Sequence, residues 1–163
     1  MQGSVSQHIH TAAETLLSSA QDSGVDVAGS LNSILNAEIL KAPYRAGAVR
    51  IMEGGVLAQD PSPSIIYVEN SSVATASGVN AEQVACVFHP TRMLDASELR
   101  VGYQRIATAK RAKRAPRTHT QPWQVNTPLG VIFAIDMAEP IEKMAERMIS
   151  LNRDYSSTCL DSA

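Results

Sequence analysis

Two apolar runs, Val84–Phe88 and Leu129–Ile135, stand on either side of an amphipathic helical stretch, and no other feature constrains the fold as much. Each run is short, rich in β-formers and without a polar face, as strands covered on both sides require. Between them Asp95 and Glu98 make an Asp-x-x-Glu helix start, and Leu99, Tyr103 and Ile106 follow at i, i+4 and i+7. Strand 82–88, a turn, helix 95–114 and strand 129–135 therefore read as a βαβ unit. Its strands are expected to lie parallel, joined by a right-handed crossover.

The rest of the chain adds helices and short strands. Ile9, Ala13, Leu16, Leu17 and Ala20 predict a helix over about 6–20. A second, over about 27–41, carries Leu31, Ile34, Leu35, Ile39 and Leu40 and stops at Pro43. Val49 and Ile51 then alternate with Arg50 and Met52, Gly54-Gly55 turns, and Val56-Leu57 returns as a hairpin. Ile65–Val68 reads as a strand and 70–80 as a loop. Behind Pro140 a last helix places Ile141, Met144, Ala145, Met148 and Ile149 on one stripe, and a polar tail begins at Asn152. The expectation is an α/β fold bordering on α+β, with a mixed sheet of about five strands flanked by helices. It forms a single domain over 1–163 with its core at about 27–151.

Composition narrows the function classes. With 163 residues, 44% hydrophobic and 18% charged, the chain has enough apolar material for one real core. No apolar run approaches the roughly 18 residues of a membrane helix, and the N-terminus lacks a signal-peptide pattern, so a cytoplasmic protein without membrane contact is expected. Two cysteines make neither a disulfide framework nor a Cys-only zinc site. His8 and His10 have no further ligands at helical spacing nearby. The net charge of -2 conceals an asymmetry. Seven of the 14 bases, Arg100, Arg105, Lys110, Arg111, Lys113, Arg114 and Arg117, fall in a window from Arg100 to Ala134 that has no acid. With Trp123 in the following loop, this segment suits a phosphate backbone with one stacked base. An acidic protein surface would fit the same charges, and a solvated helix with Trp123 at the core edge is the plainer alternative.

In order and spacing, "LNAEILKAPYR", "AVRIMEGGVLAQDPSPSIIYVEN", "VACVFHPTRMLDASEL" and "PLGVIFAID" resemble the PD-(D/E)XK, or restriction-endonuclease-like, superfamily. Within it the likeness is to an uncharacterised bacterial nuclease-like group, and it covers about Asn32 to Leu151. The resemblance implies a helical Glu, an Asp and a Glu that hold Mg²⁺, and a Lys that stabilises charge at the scissile phosphate. Glu38 matches the helical Glu, but Pro63 stands at the Asp, His89 at the Glu and Thr91 at the Lys. Proline offers no ligand, a neutral imidazole suits Mg²⁺ poorly, and threonine brings no charge. The resemblance thus implies a degenerate site, no cofactor and no hydrolysis by the family mechanism. Relocated carboxylates would restore a Mg²⁺ site from Glu38, Asp60 or Glu69, and His89, with Arg92 one residue past the Lys position.

Three readings stay open at this point. One is a non-catalytic nuclease-fold protein that binds nucleic acid or serves as a subunit in DNA processing or defence. The second is a protein-interaction module, such as an inhibitor, adaptor or assembly factor. The third is a nuclease with the relocated site. A homodimer is also open, because sheet edges in so small a domain need cover.

Overall fold

The structure, a computed structural model, describes residues 26–53, 56–57, 63–69, 78–112 and 127–160, together with Thr11, Glu14, Thr15 and Ser18. Those four are helical, in keeping with the first expected helix. The turn at Gly54-Gly55, Asp60, Lys113, Arg114, Arg117 and Trp123 lie outside the described residues.

Helix α1, Val27–Ile34, starts at Asp26, whose side chain accepts from the Ala28 N–H. It continues as a wider π turn, Leu35–Ile39. Seven strands follow: β1 Tyr44–Ala48, β2 Ile51–Glu53, β3 Val56–Leu57, β4 Ser64–Val68, β5 Val79–Asn80, β6 Val84–Leu94 and β7 Leu129–Met137. Helix α2, Ala96–Arg111, joins β6 to β7, and α3, Ile141–Leu160, closes the described chain.

The principal sheet has four strands in the order β1-β4-β6-β7. β1 and β4 are antiparallel, as are β4 and β6, whereas β6 and β7 run parallel in the βαβ unit that the sequence predicts. A smaller sheet has the order β3-β2-β5. The expected hairpin Val49–Leu57 exists, but in this second sheet, paired to a strand inside what reads as a loop. The edge of the principal sheet is instead β1, whose "YRAGA" carries no apolar alternation. It is held from the helix side: Asn36 donates to the Ala46 carbonyl and accepts from the Ala46 N–H, both at 2.8 Å.

Helices cover both faces of this sheet. Leu31, Ile34 and Leu35 of α1 and its π turn pack on Ile66, Cys86, Phe88 and Phe133. On the other face Ile65, Val84 and Val87 meet Ile106 and Ala109 of α2, and Ile51 and Val79 of the small sheet join them. Ile65 is fully buried, which stabilises the fold by roughly 1.5–3 kcal/mol for that side chain. Leu94, Leu99 and Met144 form a third cluster that seats α3 against α2.

Three boundaries differ from expectation. β6 runs to Leu94, not Phe88, straight through His89-Pro90-Thr91 where a turn is expected. Beyond Ser64↔Phe88 the β4 pairing ends, so Pro90 sits where β6 has a neighbour on one side only. α2 ends at Arg111 and not at 114. α3 continues to Leu160, through the start of the expected polar tail, and Tyr155 stacks obliquely on Tyr103 at 5.8 Å between ring centres. Of its predicted core stripe only Met144 is buried; Ile141, Met148 and Ile149 are exposed, because α2 meets α3 along Met144 and Leu151.

Candidate functional site

The residues matched to the nuclease motif do not converge. Strand side chains alternate between faces. Phe88 packs against α1, so His89 turns the other way, onto α2. Glu38 belongs to the π turn of α1, on the opposite side of the sheet, where it lines a groove of about 200 Å³ with Thr11, Thr15, Ser33, Ile34 and Ala37. Glu69 lies at the exit of β4 and pairs with Arg45 of β1 at 2.9 Å. Burial, and after it the Glu69 carboxylate, push the neighbouring Tyr67 hydroxyl above its ordinary range against a smaller opposing pull from Arg45. Pro63 accepts from the Val49 N–H through its carbonyl. Arg92 is exposed.

What does converge is a cluster the motif does not anticipate. His89 is 3% exposed, and its Nε2 lies 2.9 Å from Glu98 Oε2. Its Nδ1 lies 3.2 Å from the Arg105 guanidinium. Guanidinium only donates, so Nδ1 must accept and the ring proton sits on Nε2, donating to Glu98. Glu98 and Arg105 are seven residues apart and share one face of α2. Between them Gly102 makes room: a Cβ there would come within 2.9 Å of the imidazole and 3.1 Å of Ile132. Asp95 caps α2 as the sequence predicts, accepting from the N–H groups of Ser97 and Glu98 at 2.8 Å, while the Glu98 carboxylate reaches His89. Thr91, 9% exposed, donates to the Met93 carbonyl.

These residues do not fit a hard divalent cation. Both imidazole nitrogens are engaged, the threonine hydroxyl is turned to the backbone, and proline has no donor side chain. Among the described residues no three His, Cys, Asp or Glu side chains are grouped to hold a metal ion.

The described bases of α2 divide into three. Arg105 is exposed but commits its guanidinium to His89. Lys110 lies over the sheet, its Cε 3.4 Å from where a Cβ on Gly130 would stand. Burial raises the Cys86 thiol above its ordinary range, and the Lys110 charge opposes this more weakly. Arg100 and Arg111 remain on the exposed face, about 20° apart around the axis at 100° per residue and about 16 Å apart along it. Sequence reading treats His89 as a loop residue, Glu98 as a cap and Arg105 as a phosphate ligand. The signal that joins them is the spacing Glu98-x₃-Gly102-x₂-Arg105, once β6 is known to extend past Phe88.

A mixed sheet with a βαβ unit, an antiparallel β1–β4–β6 run and helices on both faces defines a nuclease-like fold. Among solved structures the chain is similar to NucC of P. aeruginosa ATCC27853 in its cAAA-bound form. The TM-score is 0.64 at 19% identity, over 85% of this chain and 66% of that one. It is likewise similar to E. coli MS115-1 NucC, cAAA-bound, at TM-score 0.62, 16% identity, 85% and 66% coverage. For the apo form of that protein the values are 0.59, 16%, 84% and 64%. The chain spans just under two thirds of the length of these proteins. No protein-family model matches it, and no curated protein is similar to it in sequence. Among the described residues no helix is long and apolar enough to cross a membrane.

Proposed function

We propose that this chain is a nuclease-fold protein that binds nucleic-acid phosphates without cutting them by the family's metal chemistry. It would act as a binding subunit in DNA processing or defence, the setting that the fold resemblance implies. The observation that carries this reading is the state of the motif positions. His89 and Thr91 face α2, away from Glu38, and His89 is held by Glu98 and Arg105. Among the described residues no carboxylate pair is grouped there to hold a metal and activate a water nucleophile. The outward pair Arg100 and Arg111 supplies phosphate contacts whose strength falls with salt, as released counterions require.

The test is a DNA and RNA binding series across salt with Mg²⁺ present and cleavage scored in the same samples. Binding that weakens steeply with salt, with both strands intact, is the expected result. Metal-dependent cleavage abolished by Glu38→Ala would instead establish the relocated-site nuclease. A protein-interaction module is the second reading, favoured by the exposed Ile141 and Ile149 on α3. Absence of nucleic-acid binding at low salt would turn attention to it.

A further inference from the structure

The two edges of the principal sheet are finished differently. β1 is covered by the Asn36 amide. β7 ends the sheet at the other side, and among the described residues no strand pairs with its outer edge. Edge strands are normally blunted by lysine, proline or a bulge. Leu129–Met137 contains no lysine and no proline, its register with β6 shows no shift, and its one charge is Asp136. The Ala138 N–H donates to the Leu94 carbonyl, so even-numbered positions direct their backbone groups to β6. The odd positions, Leu129 to Met137, direct theirs outward, and at the far end the Met137 N–H donates to its own neighbour, Asp136 Oδ1, at 2.8 Å. On the face that carries Phe133 the strand also leaves Leu129 64%, Val131 37% and Met137 40% exposed.

We propose that this edge pairs antiparallel with β7 of a second copy, about a two-fold axis at Phe133. The sequence is self-complementary in that register, as an isologous contact requires. Leu129 meets Met137, Val131 meets Ile135, and Phe133 meets its own counterpart, all as hydrogen-bonded pairs. On the other face Ile132 meets Ala134 and Gly130 meets Asp136, in the closer non-hydrogen-bonded spacing. The last pairing selects a second copy over an unrelated strand. Gly130 has no side chain: Ile106 of α2 fills the space over it, and the Lys110 stem lies beside Ile106, its Cε 3.4 Å from where a Cβ would stand. On pairing, the Met137 N–H passes from Asp136 to the Leu129 carbonyl of the second copy, and the released Asp136 carboxylate reaches Lys110 of that copy; the symmetry makes this ion pair twice. The result is an eight-stranded sheet continuous across both copies, with the Arg100 and Arg111 faces left free.

Sedimentation equilibrium of the full chain across the micromolar range tests this. The expected mass is twice 17.5 kDa. Asp136→Lys sets lysine against Lys110, and Lys110→Glu sets glutamate against Asp136. Each is expected to weaken the dimer at least about tenfold, and the double charge swap to restore it. Thermal melting followed by circular dichroism checks that each variant folds. A monomer throughout the range overturns the proposal. So does a dimer that both single variants leave intact, or single losses that the double swap does not restore.

Discussion

At the end of β6 the imidazole of His89 fills the space that Gly102 leaves on α2, with Glu98 on one nitrogen and Arg105 on the other. Glu98 and Arg105 would each lose a hydrogen bond if the ring were removed, and a ring-sized cavity would remain. His89→Ala is expected to cost about 2–4 kcal/mol in urea unfolding. Gly102→Ala gains helix propensity, but its methyl must displace the ring, for a net loss of about 1–2 kcal/mol. The two changes should therefore couple: in the His89→Ala background Gly102→Ala becomes neutral or stabilising. Equal cost in both backgrounds would show that the ring is not what Gly102 accommodates. Imidazole nitrogen shifts read by NMR should report the tautomer protonated on Nε2. At this scale residue identities alone were a poor guide. His89-Pro90 looks like a turn, and Arg105 looks like any other base in its segment, because a side chain's partner depends on which element stands opposite.

Elements reveal more, since periodicity and caps are local. α2 begins where Asp95 predicts, and Asp95→Ala should lower stability by about 1 kcal/mol, with Asp95→Asn retaining most of it. The start of α3 holds a different device: Arg147 bonds both oxygens of Glu139, and Lys143 lies 3.5 Å away. Hydrogen bonding to Arg147 first, and then its charge, hold the Glu139 carboxyl below its ordinary value. A depressed carboxyl stabilises the fold above its unfolded pKa and loses that contribution as pH falls through its folded one. Melting temperature should thus fall less steeply on the acid side in Glu139→Gln than in the parent, while the parent melts higher at neutral pH. Identical pH profiles would show that the pair adds nothing. β1 is the element that local reading misses. Its "YRAGA" has no strand pattern; Asn36, the neighbouring β4 and the Arg45–Glu69 pair hold it in place.

For the whole molecule, the consequence of the fold is a separation of surfaces. Arg100 and Arg111 share the exposed face of α2, Lys110 leans over β7, and Arg105, itself exposed, is bonded to His89. Replacing Arg100 and Arg111 together by alanine should weaken DNA binding and reduce the salt slope by about two, without sequence preference. Arg105→Ala should chiefly reduce stability. An unchanged slope in the double variant would place the phosphates elsewhere. By itself the sequence determined the βαβ unit, the helix covering each sheet face and the cap at Asp95. These follow from apolar periodicity and from capping chemistry, both of which act over a few residues. Only the tertiary structure decided that β6 outruns its proline and that the hairpin leaves the main sheet. It also decided that His89 points away from Glu38, and that, among the described residues, one strand edge is covered while the other has no strand paired to it. Those outcomes depend on long-range pairing, where a shift of one residue exchanges the two faces of a strand.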